Sequence, residues 1–359
     1  MDYNKKVDVH AHLLTPAYVE YLDKYEGPTP DNFPTPDWDV KSHLGLMDDL
    51  GVAFSVMSVS SPHMIHCSPE ERLDYVRRMN DEALDLIADR PDRLGLFATL
   101  PLPDVDRSCA FAEEYLNRPG VFGIGVMTNY DGLYLGSEKL EPLMKMLDKR
   151  HAVVCVHPAM PAVLPGDAVQ DMPIPIMDFL MDTTRAFTNM VWHDTFVNYP
   201  NIRWIWPHGS SFMTILSDRF ASFAVQAKLK MHNKNKLDYF GALQNCYFDC
   251  AGFSEPKQLA CMKLDIPTSH FLYGSDCPYT PSFACVALAG MLEHTDKLTA
   301  KEKQAMFTDN AIDLFPQLED VLDGKKAAAG RNGRGRRAAA RKRAFLGKAM
   351  SLFNQRNRV

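Results

Sequence analysis

Four apolar runs in this chain each end in a side chain that can bind a divalent metal. They are Val-Asp-Val-His-Ala-His (Val7 to His12), Val-Cys-Val-His (Val154 to His157), Trp-Ile-Trp-Pro-His (Trp204 to His208) and Leu-Tyr-Gly-Ser-Asp (Leu272 to Asp276). His10 and His12 stand two apart at the end of a strand-like run, so both imidazoles point to one face. Two converging imidazoles are costly to bury unless a cation lies between them. Taken singly, His157 or His208 reads as a core histidine held by a hydrogen bond, and Asp276 as a turn cap. The joint pattern outweighs those readings, because every one of these groups follows directly on a strand. Imidazoles with one carboxylate suit Zn2+ or another first-row divalent ion, with coordination left open for water or substrate.

The elements that must position these groups alternate short β-branched runs with longer helical stretches, the mark of parallel βα units. Strands are expected near 7–10, 52–59, 94–99, 121–127, 152–156, 202–206, 246–249 and 270–274. Helices are expected at 41–50, 69–90, 106–118, 138–150, 178–198, 211–230, 255–264 and 299–315. Eight such units predict an α/β fold, a (β/α)8 TIM barrel over residues 1–322. Long proline-rich connections follow strand 1 (residues 27–38) and strand 5 (residues 158–175). Both lie on the C-terminal face of the barrel and read as a semi-rigid lid.

The eight cysteines are scattered without a CxxC pair, which predicts buried reduced thiols. Cys277 stands out because it adjoins Asp276. No run approaches the length of a membrane helix, and the N-terminus has no apolar signal core, so a cytoplasmic location is expected. The net charge of −6 is unevenly spread: the twelve Lys and Arg after Asp323 meet no acid, leaving 27 basic against 45 acidic residues before them. So acidic a body is no nucleic-acid binder by itself. The segment 323–359 reads first as a disordered, solubilising tail. The alternative is a basic helix over Arg336–Phe353 that docks on an anionic surface, a nucleic acid or the acidic body.

Together these residues resemble the amidohydrolase superfamily, in the branch of aminocarboxymuconate-semialdehyde, γ-resorcylate and 6-methylsalicylate decarboxylases. The likeness spans most of residues 5–316. Beyond the strand ends it is carried by Trp38, Leu46 to Val52, Arg90 to Leu94, Gly120 to Gly125, Asp182 to Ala186, Tyr199 to Ile202 leading into His208-Gly209, and Tyr273 to Tyr279. The resemblance implies that His10, His12, His157 and Asp276 bind one metal, Zn2+ in the first place and Mn2+ or Mg2+ otherwise, with no organic cofactor. It implies a catalytic role for His208, and Asp276 as the acid that protonates the ring. It also implies a homodimer in which Arg219 reaches the neighbouring subunit's site. Trp38 and Phe253 are candidate aromatic walls. Where the family usually continues with glycines after His208-Gly209, this chain has Ser210-Ser211.

Two absences narrow the chemistry. The end of strand 4, Ile124-Gly125-Val126-Met127, has no lysine for the carbamate bridge of a binuclear site. No glutamate near His157 serves as the proton shuttle of a nucleobase deaminase. These absences favour one metal over two and count against deamination. The resemblance implies the non-oxidative decarboxylation of a small aromatic acid of the ortho-hydroxybenzoate type, with the metal orienting substrate. The alternative is a metal-dependent hydrolase of an amide, ester or lactone.

Overall fold

The computed structural model describes residues 3–164, 166, 168, 171–322 and 333–356. Eight parallel strands pair in chain order: β1 (Lys6–His12), β2 (Val52–Ser58), β3 (Leu94–Thr99), β4 (Val121–Met127), β5 (Val153–His157), β6 (Arg203–Trp206), β7 (Tyr247–Asp249) and β8 (Phe271–Leu272). Bridges from Asp8 to Tyr273 and from Ala11 to Cys277 return β8 to β1, closing the (β/α)8 barrel. All eight lie where the β-branched runs place them.

The strand alternation sorts side chains into two layers. Val7, Val9, Phe54, Val56, Phe97, Val153, Cys155, Ile205 and Leu272 fill the barrel interior, and Leu314, Phe315, Leu318 and Leu322 plug it from below. Met57, Leu96, Ile124, Val154, Trp204 and Trp206 face outward onto the helices. On β1 the phase changes. Val7 and Val9 point inward, yet Ala11 belongs to the outer layer, and the pairing with β2 slips between Asp8 and Ala11. An irregularity of this kind re-aims side chains; here it turns His10 and His12 inward above an otherwise apolar interior.

The main helices are α1 (Val40–Leu50), α2 (Pro69–Ala88), α3 (Val105–Tyr115), α4 (Glu141–Lys149), α5 (Asp178–Trp192), α6 (Met213–Lys230), α7 (Lys257–Asp265), α8 (Ser282–His294) and α9 (Gly333–Arg356). Their starts are written locally. Asp39 caps α1 by accepting from the Ser42 N–H, and Ser68 with Glu71 forms a capping box at α2, where Pro69 opens the first turn. The helix expected at 299–315 is broken into Ala300–Gln304, a π-helical turn at Ala305–Asp309, and Asn310–Leu314. Among the described residues no helix is long and apolar enough to cross a membrane.

Two elements depart from expectation. Periodicity predicts no helix at α8, because its sequence is apolar on every side; all ten residues from Ala284 to Glu293 are buried. The reason is α9, which lies across it. The described part of the basic segment is thus a docked helix rather than a disordered tail, while residues 323–332 and 357–359 lie outside the described residues. Its anchor is buried charge: Arg343 Nε and Lys6 Nζ both donate to Glu293 Oε1 at 2.7 Å. Lys6 also donates to the carbonyls of Tyr3 and Leu50, and Arg343 to that of Asp49. So many hydrogen bonds are what make such burial tolerable.

Two histidines away from the strand-end cluster bear on stability. Burial pushes His43 down to about 4 and His63 down to about 3, the latter against the help of the Leu100 carbonyl. Between those values and the unfolded value of about 6.5, only the unfolded chain takes up the protons, so stability falls as pH drops from about 6.5 towards 4. The urea midpoint is expected to be lower at pH 5 than at pH 7. His63→Gln should reduce that slope by at most about 1.4 kcal/mol per pH unit; an unchanged slope would refute the burial effect at His63.

Candidate metal centre

The strand ends meet at the top of the barrel. His10 and His12 come from β1, His157 ends β5, His208 follows β6 and Asp276 follows β8. Ring centroids lie 5.0 Å apart for His10 and His12, 4.8 Å for His12 and His157, and 4.9 Å for His10 and His208. Asp276 Oδ1 stands 3.6 Å from His10 Nε2 and 3.4 Å from His12 Nε2, while Oδ2 is 4.0 Å from His208 Nε2. Ligand atoms of His10, His12 and His157 fall within 4.8 Å of one another, as do those of His10, His208 and Asp276.

The opposite ring edges are tied back. His10 Nδ1 bonds Asp249 Oδ2 at 2.8 Å, His157 Nδ1 bonds the Pro158 carbonyl at 2.8 Å, and His12 Nδ1 faces the Ser58 carbonyl at 3.3 Å. An Nδ1–H donated outward leaves each Nε2 lone pair aimed at the centre. Asp249 was not singled out by sequence; its only signal was that, like the others, it ends a strand. It also accepts from the backbone N–H groups of His208 and Ala251, both at 3.0 Å, so one carboxylate orients two parts of the cluster. Gly274 makes room: a Cβ there would lie 2.6 Å from His10 Cβ.

These residues fit a divalent cation. His10 Nε2 and His12 Nε2 are buried without a hydrogen-bond partner among the described residues, an arrangement that costs free energy unless a Lewis acid takes the lone pairs. Burial holds His157 well below the ordinary imidazole value and His208 at about 4, with His10 adding to both. Burial also opposes charge on His10, but Asp249 and Asp276 push it up to about 10. Asp276 is raised by burial and lowered more strongly by the facing His10 and His12 rings, so its carboxyl stays well below the usual range. The result is a carboxylate among mostly neutral imidazoles.

Backbone strain marks the same place. His208, Gly209, Ser210 and Ser211 all have positive φ (56°, 59°, 62° and 51°), as does Asp276 at 58°. Serine thus occupies the left-handed region at residues 210 and 211, at a cost of about 1–2 kcal/mol per residue. The turn is braced by Gln258 Nε2 donating to the His208 carbonyl at 3.0 Å.

Above the cluster opens a cavity of about 610 Å3. His157, His208 and Asp276 form part of its floor, and Ile176, Phe179, Phe253 and Phe283 form apolar walls. Both long loops contribute, through Asp31 and Phe33 of the first and Pro175 of the second, and they touch where Asn32 Nδ2 donates to the Met172 carbonyl at 3.3 Å. Phe253 therefore lies on the cavity. Trp38 does not line it and packs with His43, 6.1 Å away, against the core. Arg219 is outside it too, on α6, with its guanidinium over the Phe223 ring. Cys277 is buried and its thiol pushed up to about 12, which leaves it unreactive near neutral pH. His10→Ala and Asp276→Ala proteins should lose the metal on elemental analysis. Asp249→Asn should weaken metal affinity by about 10–100-fold; wild-type affinity in that variant would refute the orienting role.

The amidohydrolase family profile matches residues 7–317. Over 89% of its length the chain is 30% identical to the decarboxylase yanB of Aspergillus niger, covering 89% of that protein. It is 25% identical to the 6-methylsalicylic acid decarboxylase of Penicillium expansum, covering 89% of this chain and 99% of that one. A crystal structure described as an amidohydrolase II superposes with a TM-score of 0.82 at 37% identity, covering 89% of this chain and all of the other. The strained histidine turn, the inward imidazoles and these likenesses agree: the chain belongs to the amidohydrolase family, in its decarboxylase branch.

Proposed function

We propose that the protein is a metal-dependent, non-oxidative decarboxylase of a small ortho-hydroxybenzoate-type acid. The observation that carries this reading is the pair of unpartnered Nε2 atoms beneath an apolar-walled cavity large enough for one aromatic ring. His10, His12, His157 and Asp276 would hold the cation, with Zn2+ suited to imidazole-rich sites. When bound, the cation would supply positive charge that stabilises the negative charge of the substrate.

The chain's own residues then move the proton. Asp276 is ionised at rest, so it first takes the proton of the ortho-hydroxyl group. The resulting carboxyl gives that proton to the ring carbon bearing the carboxylate. The bond to the carboxylate breaks, its electron pair restores the aromatic ring, and neutral CO2 leaves. Solvent returns a proton to the phenolate. His208, neutral through burial and 4.0 Å from Asp276, orients the substrate and exchanges protons with that carboxyl. The apolar walls favour the loss of charge from the carboxylate as CO2 forms. All eight cysteines are free, in keeping with a cytoplasmic setting.

A homodimer is the second part of the reading. Met181 on α5 and Ile215, Leu216 and Phe223 on α6 are exposed apolar side chains around Arg219. Burying that face against a second copy would remove it from water and carry Arg219 towards the partner.

The decisive experiment follows CO2 release from salicylate, 6-methylsalicylate and 2,6-dihydroxybenzoate with Zn2+, Mn2+ and Mg2+. Release from at least one acid is expected, and His208→Ala should retain metal while losing about 10²–10⁴-fold in kcat. No release from any acid, with turnover of esters, amides or lactones, would transfer support to the hydrolase reading. Light scattering should find a dimer that Phe223→Asp converts to monomer; a monomeric wild-type protein would end the dimer proposal.

A further inference from the structure

Helix α9 lies beyond the residues matched by the family, 7–317, yet it supplies a side chain to the cavity: Met350 lines it together with Pro281, Phe283 and Ala284 at the start of α8. The route by which it gets there is explicit. Arg343, Gly347 and Met350 are spaced by four and three residues, so they share one face of α9. Arg343 is bonded to Glu293 near the end of α8. Gly347 meets Gly290, about one turn earlier on α8, so closely that a Cβ on it would lie 2.7 Å from the Gly290 carbonyl carbon. The helices therefore run antiparallel, and the next step along that face carries Met350 to the beginning of α8. That beginning follows the Asp276 turn, at the mouth of the cavity.

Each contact fixes the register of the next. A Cβ on Gly290 would fall 2.0 Å from the Arg343 carbonyl oxygen, so the two backbones leave no room to slide past one another with any larger residue there. Lys342 adds an ion pair to Asp49 at 2.8 Å. The buried charge cluster, the glycine crossing and the thioether thus form one line from the interior of the fold to the substrate space.

From this geometry we infer that α9 is a wall of the substrate cavity and that Met350 is a specificity-determining residue. It sets the size of the apolar ring substituent the acid can carry on that side. The inference rests on the reading of the cavity as the site of a small aromatic acid. Met350 carries no titratable group and only a weakly accepting thioether, so its effect belongs to binding and selectivity rather than to the chemical step.

Full-length Met350→Ala and Met350→Trp proteins, metal-loaded, test it by two readouts. One is kcat and KM for salicylate and 6-methylsalicylate; the other is salicylate binding, followed by the ligand's own fluorescence. Met350→Trp is expected to weaken salicylate binding and raise KM by about tenfold or more, with kcat changed far less. Met350→Ala is expected to shift the ratio of kcat/KM for the two acids by about tenfold towards the methylated one. If Met350→Trp lowers Tm, the alanine variant decides. Wild-type selectivity and affinity in variants of unchanged Tm would overturn the proposal. Wild-type protein that binds salicylate in a residue-350-dependent way but releases no CO2 from any acid would remove the decarboxylase reading and keep the wall. CO2 release indifferent to residue 350 would do the reverse. A wild-type protein that neither binds salicylate nor releases CO2 overturns both.

Discussion

The hydrogen bond from His10 to Asp249 is the interaction on which the centre depends. Histidine rings packed about 5 Å apart cannot all be charged, and they offer one another few good hydrogen bonds. One carboxylate, buried behind the cluster, resolves part of the conflict by holding the His10 ring and the His208 backbone at once. The remaining lone pairs converge on a single point. Everything peculiar in the surrounding backbone serves that convergence: the change of phase on β1, the missing side chain at Gly274 and the left-handed turn after β6. A barrel assembled from regular strands alone would have spread these groups around its rim.

A second constraint runs through Glu293. It neutralises Lys6 from β1 and Arg343 from α9 together, tying the first strand to the basic helix. The charge asymmetry of the chain therefore has a structural use in part. Arg343 and Lys342 complement acids of the barrel, while Phe345, Leu352 and Phe353 remain on the exposed side of α9.

How much of this was legible in the sequence follows from how local each signal is. The eight strands could be read because β-branched runs report on themselves, and the clustering of the four histidines with Asp276 because each member ends such a run. Asp249 was not singled out although it ends the strand expected at 246–249: β7 is only three residues long, too short an apolar run to draw notice to its last residue. Helix α8 was missed for the opposite reason. Amphipathic spacing appears only when one side of a helix faces water, and coverage by α9 erased it. The inward turn of both β1 histidines depends on a pairing irregularity with β2, which no single segment encodes. Trp38 and Arg219 were expected near substrate, but aromatic and cationic residues in loops and on helix faces have many possible neighbours. Neither lines the cavity of this chain, and for Arg219 the expectation concerned a neighbouring subunit's site.

The shared carboxylate also has a consequence for the order of events during synthesis. Lys6 and Glu293 are 287 residues apart, and Glu293 and Arg343 a further 50. A nascent barrel must therefore keep the Lys6 ammonium waiting through nearly the whole of translation, and α8 must emerge with its outer side bare before α9 exists to cover it. Closure of such distant contacts is slow. In that interval the apolar surface of α8 is the part of the chain most in need of protection from other nascent proteins.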